Sequence, residues 1–510
     1  MEIIWSTVLT VWGWLLDHLL YINLAFSIII IFFQRRDPRS VWTWLLALYF
    51  IPVFGIVFYL LFGQDMKKSR MFRVKEVSDR LNLPVKSQED IIRSDDMPEE
   101  MMDPMSRDFK SLIIYNLETS GSVLTVNNQV QIYTDGQAKF EALRNALRQA
   151  RRFIHIQYYI IKNDELFDSI VPILLDKVRE GVEVRILCDG MGGRFMPKKR
   201  WDQMRSAGIK VGVFFPPFLG WLNLRVNYRN HRKIVVVDGN TGFVGGFNIG
   251  REYISRDPKF GYWRDTHLEI KGEAAISLQI RFALDWNYVT GENLFKEIRY
   301  FGEEAEYARR RLNGRIHAVW PDPEHVSEMV CMQIITSGPD TREPHIRNNY
   351  LELFHKAKHH IYIQTPYFIP DDAIFSSLKI AALSGVDVRL MIPCKPDHPF
   401  VYWATCSYAG ELLDYGARVY VYENGFLHSK GIMVDGRVSC YGTANMDIRS
   451  FELNFEVNAT IYDEDVTGQL EEAFMNDLPH CREITREEYG DRNLWMRIKE
   501  QSSRLLSPLL

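Results

Sequence analysis

Histidine and lysine recur in this chain two residues apart, twice, and each pair is followed at fixed distances by an aspartate and an asparagine. His231, Lys233, Asp238 and Asn248 stand in NHRKIVVVDGNTGFVGGFN; His428, Lys430, Asp435 and Asn445 stand in LHSKGIMVDGRVSCYGTAN. Both copies read H-x-K-x4-D-x9-N. On a strand, residues two apart share a face, so each imidazole is expected beside an ammonium in one cleft. A lone H-x-K describes an ordinary surface strand; repetition at identical spacing argues for a site. If two halves pack about a pseudo-twofold axis, both histidines face one phosphodiester. One attacks phosphorus to form a phosphohistidine; the other protonates the departing alkoxide and later takes the proton of the incoming hydroxyl. Lys233, Lys430, Asn248 and Asn445 would stabilise the anion.

A nucleophilic imidazole needs an acceptor on its other nitrogen. Glu456, in SFELNFEVNATI after His428, is the expected partner of that histidine. Aligning its strand with YWRDTHLEI sets Asp265 opposite Glu456 and makes Asp265 the counterpart for His231. Asp238 and Asp435, each followed by Gly, are expected to fix turns through backbone hydrogen bonds. The scheme calls for no metal and no cofactor, and His155, His267, His359, His360 and His398 read as packing or surface residues.

The elements that must position these residues repeat as well. IHIQYYI (154–160) and IYIQTPYFI (361–369) are apolar runs suited to buried strands. Each follows a helical stretch with a basic end, FEALRNALRQARR or NNYLELFHKAKHH; GVEVRIL (181–187) then matches GVDVRLM (385–391). This alternation predicts an α/β chain of two pseudo-symmetric domains, 113–320 and 321–510, each a mixed, mostly parallel sheet flanked by helices.

Ahead of them, residues 1–66 read as a membrane anchor. Val41–Phe62 is uncharged and as a helix reaches about 33 Å, the thickness of a hydrocarbon core. Spans are predicted at about 17–34 and 41–62, with Pro52 and Gly55 allowing a kink or a re-entrant hairpin. Residues 3–16, carrying Trp5, Trp12 and Trp14, suit the interface, and Glu2 with no small-residue cleavage site speaks against a signal peptide. Arg35, Arg36 and Arg39 flank one side and the larger group Lys67, Lys68, Arg70, Arg73 and Lys75 the other, which favours a cytoplasmic catalytic part. Residues 67–112 read as a polar linker or a solvated helical neck.

Apolar residues at 46% and charged residues at 25% exclude bulk disorder. A net charge of -4 excludes nucleic acid as the main partner, since phosphate-backbone binding needs a basic excess. The six scattered cysteines, with no C-x-x-C, read as reduced thiols. Near the first motif, Arg225, Arg229 and Arg232 surround His231. The apolar stretch VFFPPFLGWLNL either dips Phe214, Phe215, Phe218, Leu219 and Trp221 into lipid or forms a buried strand.

HRKIVVVD and HSKGIMVD resemble the duplicated signature of the phospholipase D superfamily. RRDPRS between the apolar segments, FGQ after them, GGFNIG, YWRDTH, ENGFLHSKGIMVDG and GTANMDIRSFELNFE resemble the bacterial cardiolipin synthases over nearly the whole chain. The resemblance implies that two phosphatidylglycerol molecules yield cardiolipin and glycerol, with His231 the nucleophile and His428 the acid and base. It further implies a multi-pass protein of the bacterial cell membrane, in contact with anionic lipid. The same histidine pair also serves a phosphodiesterase that uses water, and the duplicated fold alone would serve a non-catalytic membrane scaffold.

Overall fold

The computed structural model describes Trp14 and residues 17–32, 38–53, 55–56, 59, 107–216, 227–301, 329–341 and 343–507. Trp5, Trp12, Arg35, Arg36, Phe218, Leu219, Trp221, Arg225 and the basic group at 67–75 lie outside them, as does most of the predicted linker.

Near the N-terminus, helices Leu19–Phe32 and Pro38–Phe50 pack together, the Asn23 amide donating to Leu48 O at 2.9 Å. Ile30, Trp44, Leu48 and Tyr59 close their shared face, while Leu20, Tyr21, Leu24, Trp42 and Phe50 point outward. Among the described residues no helix is long and apolar enough to cross a membrane. The two helices overlap the predicted spans but are shorter.

The rest is built on two large sheets of matching topology, with a two-stranded one, Phe368–Ile369 and Met446–Asp447, beside them. The first runs Trp263–Gly272, Thr241–Gly245, Ile234–Val237, Phe153–Tyr158, Glu183–Asp189, Lys210–Phe214, with Asn128–Asp135 beside Trp263–Gly272. The second runs Cys331–Ser337, Asn454–Tyr462, Val438–Gly442, Gly431–Val434, His360–Gln364, Asp387–Pro393, Arg418–Tyr422, with Leu124–Thr125 and Cys481–Ile484 at its ends. Both are mixed, as expected, but neither is mostly parallel. Phe153–Tyr158, Glu183–Asp189 and Lys210–Phe214 pair in parallel through helical crossovers, whereas the strands around the motif pair antiparallel. The reason is local. Asp238 and Gly239, like Asp435 and Gly436, adopt positive φ (54° and 81°, 56° and 66°), the conformation that reverses a chain in a tight hairpin.

Each sheet buries one face under its own helices. Phe140, Leu143, Ile170 and Leu174 do this in the first half, and Ile346, Leu353, Ile374 and Leu378 in the second. The other faces meet in a common core that joins Ile234, Val236, Leu268 and Phe282 to Met332, Ile334, Met433, Tyr441 and Ile461. Helix Lys110–Ser120, at the start of the expected first half, is built into the second. Its Leu112, Ile113 and Leu117 enter the core under the second half's own helices, and the Asn116 amide donates to Asn349 at 2.9 Å and Gln333 at 3.2 Å.

The halves also exchange backbone. Arg229–Asn230, just before His231, pairs in parallel with Asn454–Phe455 of the second sheet. Phe426–Leu427, just before His428, pairs in parallel with Trp263–Arg264 of the first. His231 N–H donates to Phe455 O at 2.9 Å and His428 N–H to Arg264 O at 2.7 Å. Each motif is therefore anchored by a strand of the opposite half.

Candidate active site

The two H-x-K triplets lie not in strands but in the extended links that enter Ile234–Val237 and Gly431–Val434. Side chains still alternate: Arg232 turns into the protein while its neighbours line the cleft. Its guanidinium, fully buried, meets both oxygens of Asp285 at 2.9 and 2.7 Å. It is therefore not a substrate-facing cation, and Arg229 is likewise buried.

Each imidazole is held by a carboxylate, and the pairing crosses between halves. His231 Nδ1 lies 2.9 and 3.0 Å from the Glu456 oxygens; His428 Nδ1 lies 2.6 Å from Asp265 Oδ2. The sequence alignment matched Asp265 with Glu456 correctly but assigned each to the histidine of its own half. The strand exchange reverses that, because each motif is laid along the strand carrying the other half's carboxylate.

Burial alone would raise the pKa of both acids. His231 and Lys233 outweigh it at Glu456, and Lys430 and His428 at Asp265, so both stay below the ordinary carboxylate range. Ionised, each accepts the Nδ1 proton and leaves Nε2 for chemistry. Burial and Lys430 push His428 down to about 4 against the pull of Asp265. Burial also lowers His231, with Glu456 opposing and Lys233 and Lys430 adding to the depression.

Both lysines are buried and donate to the carbonyl of their own histidine, Lys233 at 2.7 Å. Lys430 Nζ also sits 2.8 Å from His428 Nδ1. With that nitrogen donating to Asp265, the contact crowds a cation against the ring rather than bonding to it. Burial depresses Lys233 to about 7 and Lys430 to about 8; each is sensitive to the other half's charges, Lys233 to Glu456 and Lys430, Lys430 to Asp265. The four motif side chains thus share one electrostatic pocket, and an anion entering it would restore the full charge of both ammonium groups.

Asp238 and Asp435 do not face this pocket. Asp238 accepts backbone N–H groups of Arg151, Arg152 and Phe153 at 2.8–2.9 Å, and Asp435 those of Lys358, His359 and His360 at 2.7–2.8 Å. They tie the motif hairpin to the loop entering the neighbouring parallel strand, a longer reach than their own turns. Asn248 accepts from Ile160 N–H and donates to the Tyr253 hydroxyl at 3.0 Å, so its amide is already engaged. The Asn445 amide leans on Asp447, a carboxyl that burial pushes up to about 6. Phe214 and Phe215, proposed as lipid contacts, are buried against Phe455 and Tyr288.

Several neighbours carried no signal of their own. The Tyr159 ring stands edge-on to His231 at 5.0 Å, and Trp263 lies 5.0 Å from His428. Thr443 Oγ1 donates to Glu456 at 2.6 Å; at the equivalent position, a Cβ on Gly246 would fall 1.9 Å from Asp265 Oδ1. A second buried pair, Arg264 with Asp477 at 2.8 Å, joins the halves, and Gln364 donates to the same aspartate as Gln157 does to Asp285.

Comparison with known proteins places this geometry. The model described as "Cardiolipin synthase, PLD-like domain" matches residues 143–266 and again 350–478, and the "Phospholipase_D-nuclease N-terminal" model matches residues 22–64. The chain is 45% identical over 506 residues to the major cardiolipin synthase of Bacillus subtilis, covering 97% of this chain and 99% of that one. It is 46% identical over 491 residues to a cardiolipin synthase of Staphylococcus aureus, covering 96% and 95%. Among solved structures, a phosphatidylserine synthase from Haemophilus influenzae shares the fold, with TM-score 0.58 and 17% identity over 80% of this chain and 100% of that one. With the domain matched twice and close relatives aligned almost end to end, the chain belongs to the PLD-like cardiolipin synthases of the phospholipase D superfamily.

Proposed function

We propose that the chain transfers a phosphatidyl group from one phosphatidylglycerol to another, releasing glycerol. The observation that carries the mechanism is the pair of imidazole–carboxylate contacts exchanged between halves, with two buried lysines beside them. His231 Nε2 attacks phosphorus; the N–P bond forms as the P–O bond to glycerol breaks, and His428 supplies the proton that the glycerol oxygen takes up. A hydroxyl of the second phosphatidylglycerol then gives its proton to His428 and attacks phosphorus, breaking the N–P bond and leaving cardiolipin. His428 is neutral in the empty pocket at neutral pH. His428 takes up the proton it needs from solvent as the phosphodiester binds, because the anion's charge offsets Lys430 and raises the imidazole again. Lys233 and Lys430 hold the phosphoryl oxygens as negative charge grows on them.

Residues 1–66 serve as a bacterial cell-membrane anchor with spans at about 17–34 and 41–62. Residues 67–112 link it to two phospholipase D-like units, 113–320 and 321–510, on the cytoplasmic side, with the opening stretch of the first, through Thr125, packed onto the second. Purified full-length chain given labelled phosphatidylglycerol should release cardiolipin and glycerol in equal amounts. Phosphatidic acid as the main product would identify water as the acceptor instead.

A further inference from the structure

The last helix, Leu494–Leu505, is turned inside out. Its start is fixed by the Asn493 side chain, which accepts from Met496 N–H at 2.8 Å. Leu494, Ile498 and Leu505 fall on one face with Trp495 beside them, the spacing of an apolar helical stripe. In a helix that stabilises a soluble core this stripe points inward. Here it points out: Leu494 is 73%, Trp495 64%, Ile498 44% and Leu505 84% exposed, while Glu500 and Ser503 are buried.

The polar face packs on helix Pro399–Leu413. Glu500 meets Arg492 at 3.1 Å, Arg504 meets Glu411 at 2.6 Å and covers the Tyr408 ring, and Lys499 lies over Trp403 and Trp495. The helix carries three cations, Arg497, Lys499 and Arg504, and a single acid, Glu500, which is turned inward. What faces outward is therefore apolar and aromatic, with the exposed cation Arg497 and the uncharged Gln501 and Ser502 beside it and no exposed acid in the helix, a combination that suits the headgroup region of an anionic bilayer.

The supporting helix leads back to the active site. It exposes Phe400 at its start, beside Asp397, which accepts from the Tyr367 hydroxyl and contributes to the charge felt by Lys430. Its Thr405 hydroxyl accepts the N–H of Phe368, in the short strand paired with Met446–Asp447 next to Asn445.

We propose that Leu494–Leu505, with Phe400, docks the second half onto an anionic phospholipid bilayer, bringing the cleft to its substrate at a contact separate from the N-terminal anchor. This rests on the reading that the substrate is a bilayer phospholipid.

The test uses the full chain in vesicles of phosphatidylglycerol and phosphatidylethanolamine, with a photoreactive diazirine side chain in place of Ile498. Irradiation should give an adduct with phospholipid mass. Adducts only with peptide, from a second copy or another part of the chain, would overturn the proposal. In parallel, Leu494→Ser with Ile498→Ser should lower turnover of vesicle phosphatidylglycerol about tenfold. The same variant should leave turnover of a monomeric short-chain phosphatidylglycerol unchanged. Equal turnover by variant and parent on both substrates would refute the docking role. If the parent chain turns over neither substrate, the functional reading fails while the photoadduct still decides the surface.

Discussion

Replacing Asp265 by asparagine removes one negative charge and almost no volume, at a site that touches His428 and not His231. The bond removed is 2.6 Å long, buried, and charged on the acceptor side. Such bonds contribute about 1.5–3 kcal/mol, so the step that uses His428 should slow by ~10- to 150-fold, and by more if the new amide inverts the tautomer. The informative assay compares two donors. Phosphatidylglycerol must have its leaving alkoxide protonated, whereas a nitrophenyl phosphatidyl ester loses a group acidic enough to depart without help. D265N should be slow with the first donor and show a near-normal first-turnover burst of nitrophenol with the second. E456Q, which disturbs His231, the proposed nucleophile, should be slow with both. Adding D265N to H428A should cost little further rate, because the aspartate acts only through that imidazole. The reverse pattern, with D265N slow on the activated ester and E456Q rescued by it, would refute either the crossed pairing or the role given to His231.

Lys233 near 7 and Lys430 near 8 in the empty cleft lose their protons as pH rises through those values, so kcat/KM for an anionic lipid should fall along an alkaline limb at roughly pH 7–8. A profile flat through roughly pH 9 would contradict it. Gly246→Ala places a methyl group 1.9 Å from Asp265 Oδ1; it should reproduce the D265N rate pattern, rescue by the activated ester included. Asp238→Ala and Asp435→Ala each remove an acceptor of three backbone N–H groups outside the cleft. Each should cost about 2 kcal/mol of stability, seen as a lower Tm, with kcat of the folded fraction largely kept.

The repeated motif made the duplication legible, since H-x-K-x4-D-x9-N fixes both the hairpin and its glycine. The match of Asp265 to Glu456 held to the residue because both strands keep one register against their neighbours, Thr241–Gly245 and Val438–Gly442. Which carboxylate served which histidine was not legible. Spacing along a chain is the same whether pseudo-symmetric halves keep or exchange a partner, and the exchange follows from pairings such as Asn454 with Arg229. The weight of antiparallel pairing was missed for a related reason: a buried apolar run such as IVVV reads alike in either direction. Of the two readings open at Phe214 and Phe215, lipid contact or buried strand, the second holds; an apolar loop and the end of a buried strand have the same composition, so the sequence could not choose. The outward stripe at Leu494–Leu505 is not legible in the sequence, because helical periodicity says that a helix has two faces, not which is covered.

The crossed pairing also governs when the enzyme can first work during its own synthesis. Glu456 lies 225 residues beyond His231. A ribosome that has delivered only the first half has therefore released a histidine and lysine with no carboxylate to orient the ring and no second imidazole to pass a proton. On the proposed mechanism such a nascent chain is inert toward phosphodiesters. Competence would then arrive in one step, when the second sheet docks, and a translation product cut short between the halves would leave lipids untouched.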